Sequence, residues 1–176
     1  MSSKADLKRL HIIQTAIRYL KDNDLSTLTL ERVAERANIS KGGLLYHFNT
    51  KDALQTAIAE TILNEVIQSF EHLASFEQGT GRLSRAFILT SQKDLENGAS
   101  LNIAVQILQN DHSSISTVYE CLLEELFQDG LEAPVVHLIR LTIDGLYYSK
   151  LLNIAPLSDK ATEGVFEQLM HMTRKD

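Results

Sequence analysis

The chain has 176 residues, enough for one domain or two small ones with a core of their own. Hydrophobic residues make up 44% of it, with only 2 prolines and 8 glycines, which excludes a disordered or fibrous chain and favours long helices over frequent turns. A single cysteine, Cys121, excludes an internal disulfide framework and a multi-cysteine metal cluster, and the net charge of −6 argues at first sight against a nucleic-acid partner.

That charge is unevenly spread. Residues 1–52 hold 9 basic and 6 acidic residues, whereas 53–176 hold 8 and 17. A basic head on an acidic body points one end of the molecule at a polyanion. The first apolar stretch is interrupted by Gln14, Thr15 and Arg18, unlike a secretory core. No window approaches the roughly 20 apolar residues of a membrane span. A soluble cytoplasmic protein, without membrane contact, is therefore expected.

In chain order, residues 4–22 read as an amphipathic helix with Leu10, Ile13, Ile17 and Leu20 on its apolar stripe. Thr29 is placed to cap a short helix over 30–37, with Glu31 in the first turn, where the helix dipole favours a carboxylate. Asn38-Ile39 makes a tight turn, and Asn tolerates a left-handed conformation there. Ser40 caps a second short helix, 41–48, and Thr50 a long one, 51–74, striped by Leu54, Ile58, Ile62, Val66, Phe70 and Leu73. Helices are then expected from Gly79–Gly81 to about Leu95, over about 100–109, 114–128, 134–152 and 158–173. Asn97-Gly98 and Asp129-Gly130 act as stops, Pro134 as a first-turn residue, and Ser158 as a cap. No strand alternation or internal repeat is present. The fold class is all-α: an N-terminal three-helix helix-turn-helix domain, 1–52, followed by a helical-bundle effector and dimerisation domain, 53–176.

Residues 29–48 carry the functional signal. Two short capped helices joined by a tight turn are what a helix-turn-helix requires, with the second helix lying in the major groove of DNA. Lys41 can meet a phosphate, Gly42 and Gly43 let the backbone approach DNA, and Tyr46 and His47 offer hydrogen-bonding and stacking surface. Lys51 joins its charge to the backbone N–H groups of a helix start, a phosphate clamp. Two such helices also occur in ordinary bundles. Against that, a glycine inside a helix costs roughly 1 kcal/mol relative to alanine, which is hard to justify as structure alone.

The run Thr29-Leu30-Glu31-Arg32-Val33-Ala34-Glu35-Arg36-Ala37-Asn38-Ile39-Ser40-Lys41-Gly42-Gly43-Leu44-Leu45-Tyr46-His47-Phe48, followed by Thr50-Lys51-Asp52-Ala53-Leu54, resembles the DNA-binding domain of the tetracycline-repressor (TetR) family over about residues 8–55. The resemblance implies a homodimer on a palindromic operator of double-stranded DNA, usually repressing, with a small-molecule effector in the body releasing it. It implies that Thr29 caps and touches phosphate, and that Lys41 and Gly43 face the groove beside Ser40 and Gly42. It further implies that Tyr46 and His47 meet backbone or bases, and that Lys51 grips phosphate. Leu45 departs from the family, which most often has a phosphate-contacting tyrosine there; Tyr46, one residue on, is expected to take over.

In the body, helix 134–152 is apolar nearly all round and needs cover on several sides. A partner subunit is one cover, with Gly145 and Ser149 allowing close approach and helix 158–173 completing a four-helix interface. An internal core position in a monomer is the other. Effector-lining candidates are Phe70, Phe87, Tyr119, Tyr147 and Tyr148, with Arg140 and Asp144 as polar anchors, although each could equally be core or surface. No cofactor or metal is expected: Gly79-Thr80-Gly81 lacks the third glycine and preceding strand of a dinucleotide loop, and no two histidines have reliable ligand spacing, so a metal would need His72, His112 and His137 to meet in space. Adjacent Asp111-His112-Ser113 cannot converge as a catalytic triad, so no enzyme is expected. The other reading of the whole chain is a helical small-molecule carrier or interaction module that no longer binds DNA.

Overall fold

A computed structural model describes residues 3–109 and 113–174, without the side chains of 113–115 and 118. Among the described residues every regular element is a helix. These are α1 (Lys4–Leu20), α2 (Leu30–Arg36), α3 (Lys41–His47), α4 (Lys51–Ala74), α5 (Arg82–Glu96), α6 (Ser100–Ile107), α7 (Ser113–Phe127), α8 (Ala133–Leu152) and α9 (Asp159–Met172), with one 3-10 turn at Leu25–Thr27. The boundaries lie within about two residues of the expected ones, the ordinary fraying of helix ends. Asp111, His112 and the side chain of Ser113 lie outside the described residues.

The chain divides into two compact units, Met1–Asn64 with Ile103–Asp111, and Glu65–Asn102 with His112–Asp176. In the first, helix starts are closed by neighbouring side chains. Ser3 and Asp6 form a reciprocal capping box at α1. Thr29 Oγ1 accepts from Arg32 N (3.2 Å), Ser40 Oγ from Gly43 N (3.0 Å) and Thr50 Oγ1 from Ala53 N (3.0 Å). Asn38 adopts φ 54°, and the Ile39 amide returns to the Ala34 carbonyl at 3.0 Å, closing the turn between α2 and α3. Ile12, Ile13, Ala16, Leu28, Val33, Leu44, Phe48, Leu54 and Ile58 are buried here. Leu10 is a correction: it is exposed, because the buried face of α1 is centred on Ile12 and Ala16.

In the second unit α5 is central, packing against α7, α8 and α9. Phe87, Ile88, Leu126, Val136, Ile139, Ile143 and Phe166 lie in one apolar core. Its polar ties join one helix to another. Asp129 Oδ2 accepts from Ser84 N (2.8 Å) and its carbonyl from Gly81 N (2.9 Å), so α5 is capped from the end of α7. Gly81 sits at φ 77°, and a Cβ there would stand 2.8 Å from the Thr173 carbonyl oxygen, so only glycine fits. Asp94 accepts from Ser100 N (3.0 Å), Leu101 N (3.1 Å) and the Tyr147 hydroxyl (2.9 Å), which caps α6 and ties it to α8. Lys150 Nζ donates to Leu95 O (2.7 Å) and Asn102 Nδ2 to Tyr147 O (3.1 Å), binding the same junction.

Among the described residues of this unit Arg85 is the buried charge, with 9% of its side chain exposed. Its Nε meets Glu77 Oε2 at 2.5 Å, while the other guanidinium nitrogens donate to the carbonyls of Gln78 (2.7 Å), Thr80 (2.9 Å) and Thr173 (3.4 Å). One side chain therefore closes the 77–80 loop and the end of α9. Removing a member of a buried, hydrogen-bonded pair leaves uncompensated polar groups, costing about 3–5 kcal/mol. Arg85→Ala should lower the unfolding free energy by about 3 kcal/mol, read from urea titrations followed by circular dichroism; a loss below about 1 kcal/mol would show that these contacts are replaceable by water.

Candidate DNA-binding site and body cluster

The second helix of the helix-turn-helix presents one face outward. Leu44 and Phe48, four apart, are buried and fix α3 on its neighbours. Lys41, Gly42, Leu45 and Tyr46 are exposed on the opposite side, Tyr46 by 81%, and Gly43 and His47 flank them half-buried. Tyr46 and His47 meet edge-to-face with ring centroids 5.1 Å apart. Leu45 and Tyr46 thus share the outer face. Thr29 and Ser40 accept backbone amides as caps, which leaves each hydroxyl proton to donate elsewhere. Lys51, half-buried, opens α4 just after the Thr50 cap.

The cations of this unit are employed unequally, which the sequence did not reveal. Arg36 and Arg32 stand 4.7 and 5.8 Å from the centroid of the Tyr19 ring. Arg32 Nη1 also donates to the Tyr19 oxygen (2.8 Å), Tyr19 to Thr27 Oγ1 (2.7 Å), and Thr27 to the Asp24 carbonyl (2.7 Å). Arg9 lies 4.9 Å from the Phe48 ring centroid. Arg32 and Arg36 thus hold α2 on α1, and Arg9 joins α1 to the end of α3. A tyrosine at position 19 near two arginines four apart is the signal that could have shown it. Lys41 Nζ meets Glu31 Oε1 at 2.6 Å on the surface.

In the second unit, three of the effector candidates meet. The Tyr119 hydroxyl donates to Asp144 Oδ1, Arg140 Nε donates to Asp144 Oδ2 (3.2 Å), and the guanidinium lies 5.7 Å from the Tyr119 ring centroid. Tyr147 is turned to Asp94 instead; Phe87 is in the apolar core, with Phe70 packed against it. Tyr148 is away from them, exposed on α8 in a stripe with Leu138, Leu141 and Leu152. His72 and His137 sit edge-on to Phe76 and Phe127, and among the described residues no group of three His, Cys, Asp or Glu side chains could hold a metal. No described helix is long and apolar enough to cross a membrane.

The sequence model "Bacterial regulatory proteins, tetR family" matches residues 12–58, which contain the helix-turn-helix, and "Tetracyclin repressor-like, C-terminal domain" matches 81–174. The chain belongs to the tetracycline-repressor family. TetR-family proteins are DNA-binding transcription regulators, and α2 and α3 both lie within the residues that the first of these models matches. Over 57 residues the chain is 40% identical to the Escherichia coli tetracycline repressor protein class C, covering 32% of this chain and 26% of that one. Over 95 residues it is 28% identical to the transcriptional regulator BetI of Burkholderia thailandensis, covering 53% and 49%. The matches thus span about a quarter and a half of the length of those relatives. The fold matches that of the fatty acid degradation regulator FadR from Bacillus halodurans, with a TM-score of 0.72, 15% identity and 96% of each chain covered.

Two outcomes are expected of this TetR-family chain. A Cβ at Gly42 would meet nothing within 4 Å. Gly42→Ala should therefore stabilise the free protein, by up to about 1 kcal/mol, yet weaken duplex binding measured by fluorescence anisotropy; unchanged binding would show that the backbone here does not approach DNA. In the body, burial, and then Asp144 for Tyr119 and Asp94 for Tyr147, push both phenols above their ordinary pKa. Their protonated form is native, so this stability is complete below the ordinary phenol value of about 10 and is lost as pH rises through and beyond it. Urea midpoints should fall from pH 9 to 11 and fall less in Tyr119→Phe, whereas equal slopes would remove Tyr119 as a cause.

Proposed function

We propose that this regulator is a homodimeric repressor, cytoplasmic and associated with the nucleoid, that leaves a palindromic operator when a small molecule binds its body. The observation that carries the reading is the outward face of capped α3, where Lys41, Gly42, Leu45 and Tyr46 stand together over buried Leu44 and Phe48. Gly42, Gly43, Leu45, Tyr46 and His47 meet the major groove, Lys41 at the start of the same helix reaches a phosphate at its edge, and Thr29, Ser40 and Lys51 hold the further phosphates that fix the register. Residues 1–52 read DNA, and 53–176 dimerise and bind the effector.

The dimer uses α8 and α9. Leu138, Leu141, Tyr148 and Leu152 recur on one side of α8 at helical spacing, Leu141 and Tyr148 each 59% exposed, and beyond the local helix backbone nothing lies within 4 Å of where a Gly145 Cβ would stand between them. An apolar stripe of this kind is what an isologous four-helix interface buries. The two recognition helices then enter successive major grooves about 34–36 Å apart. The effector binds in the body near Tyr119, Arg140 and Asp144, with Phe70, Phe87, Tyr147 and Tyr148 as further contacts. It acts by preferring a body conformation in which the two heads no longer match that spacing, through its differential affinity for the two states.

Selection of bound duplexes from a random pool, with the purified full chain at physiological salt, should yield a palindrome with half-sites about 10–10.5 base pairs apart or a multiple of that. On that operator Lys51→Ala should weaken binding and flatten the dependence of log K on log salt by about one. No enrichment from folded, dimeric protein would overturn the repressor reading.

A further inference from the structure

α3 carries one lysine or arginine, Lys41, and its amine is in contact with a carboxylate of the same head. Glu31 Oε1 and Lys41 Nζ are 2.6 Å apart, and both side chains are 61% exposed. A pair so exposed to water adds little to stability. The hold of α2 on α3 comes instead from buried Val33, Ala34 and Leu44 and from the Asn38 turn. What the pair changes is the availability of the amine. Elsewhere in the head, Arg9, Arg32 and Arg36 are stacked on Phe48 and Tyr19, so Lys41 is the cation the recognition helix itself has to offer to phosphate.

We infer that Glu31 competes with DNA phosphate for Lys41, and thereby sets how weakly the head binds duplexes that lack the operator. This rests on the DNA-binding reading of α3. A lysine ammonium is a compact point charge on a flexible stem, and it can pair with a carboxylate or with a phosphate. A phosphate approaching Lys41 must displace the carboxylate and then tolerate it nearby. Glu31 is itself held in place, because it lies in the first turn of α2, where the helix dipole favours a negative charge. Lys41 keeps the Glu31 carboxyl below the ordinary carboxylate range, so the competitor is ionised under any condition in which DNA would be bound. On random DNA no base contact offsets the loss of the pair, so the competition weighs on the background binding that every regulator must suppress.

The test measures binding of the full chain to a random-sequence duplex across a salt series, for the wild type, E31Q, K41A and the double variant. E31Q should bind severalfold more tightly at low salt, and its log K against log salt should steepen by about 0.9, the slope of one further neutralised phosphate. In the K41A background E31Q should leave that slope unchanged, because no amine is left to release. Equal slopes for the wild type and E31Q, or the same steepening without Lys41, would overturn the proposal: in the second case Glu31 acts by its own charge alone. A wild type that binds no duplex at any salt would instead overturn the DNA-binding reading and this inference with it.

Discussion

Each α-helix leaves four backbone N–H groups at its start and four carbonyls at its end without partners, and a chain made only of helices meets this demand at every junction. The way the ends are closed divides this molecule in two. In the head the partners are near in sequence: Ser3, Thr29, Ser40 and Thr50 each accept an amide three residues on. In the body Ser158 closes α9 in the same way, but α5 and α6 are closed by Asp129 and Asp94, through contacts that depend on the packed fold. Arg85 extends that logic to carbonyls, gathering those of Gln78, Thr80 and Thr173 around one buried guanidinium.

The head uses this economy for recognition. Local caps fix where α2 ends and α3 begins, so the register of the outward face is set by a few residues around Asn38 and Ser40. Its arginines are largely spent on structure, with Tyr19 and Phe48 as platforms, and the basic count of the first 52 residues overstates the charge presented to DNA. The phosphate-directed chemistry falls to lysines and to helix starts, where charge and backbone amides act together. A single carboxylate on α2 can therefore matter to the electrostatics of the whole face.

Besides the Arg85 and Asp129 contacts, two of the body's polar groups, Tyr119–Asp144–Arg140 and Tyr147–Asp94, include residues of α8. α8 thus carries polar anchors and core residues on its inner sides and an apolar stripe outside. A ligand that alters the polar groups acts on the same helix that the proposed interface uses.

The helices, their order and the reading head were legible in the sequence, because they rest on short-range physics. Ser, Thr and Asn at the caps and turn act within three or four residues, and the spacing of Leu44 and Phe48 dictates which side of α3 faces outward. The family motif in 29–54 needed no more than those residues. Tertiary structure alone decided the rest. Leu10 reads as part of a core stripe, yet it is exposed, because the rotation of α1 is set by what it packs against. Nothing in the sequence singles out Arg85 or Asp94, and Asp129 reads only as part of a helix stop, because their partners lie on other helices or in backbone atoms that carry no sequence signal. Of seven residues named for the effector, only Tyr119, Arg140 and Asp144 meet in one cluster, and Tyr148 faces away. Periodicity tells how residues are arranged around one helix; which helix stands opposite is settled only by packing the others.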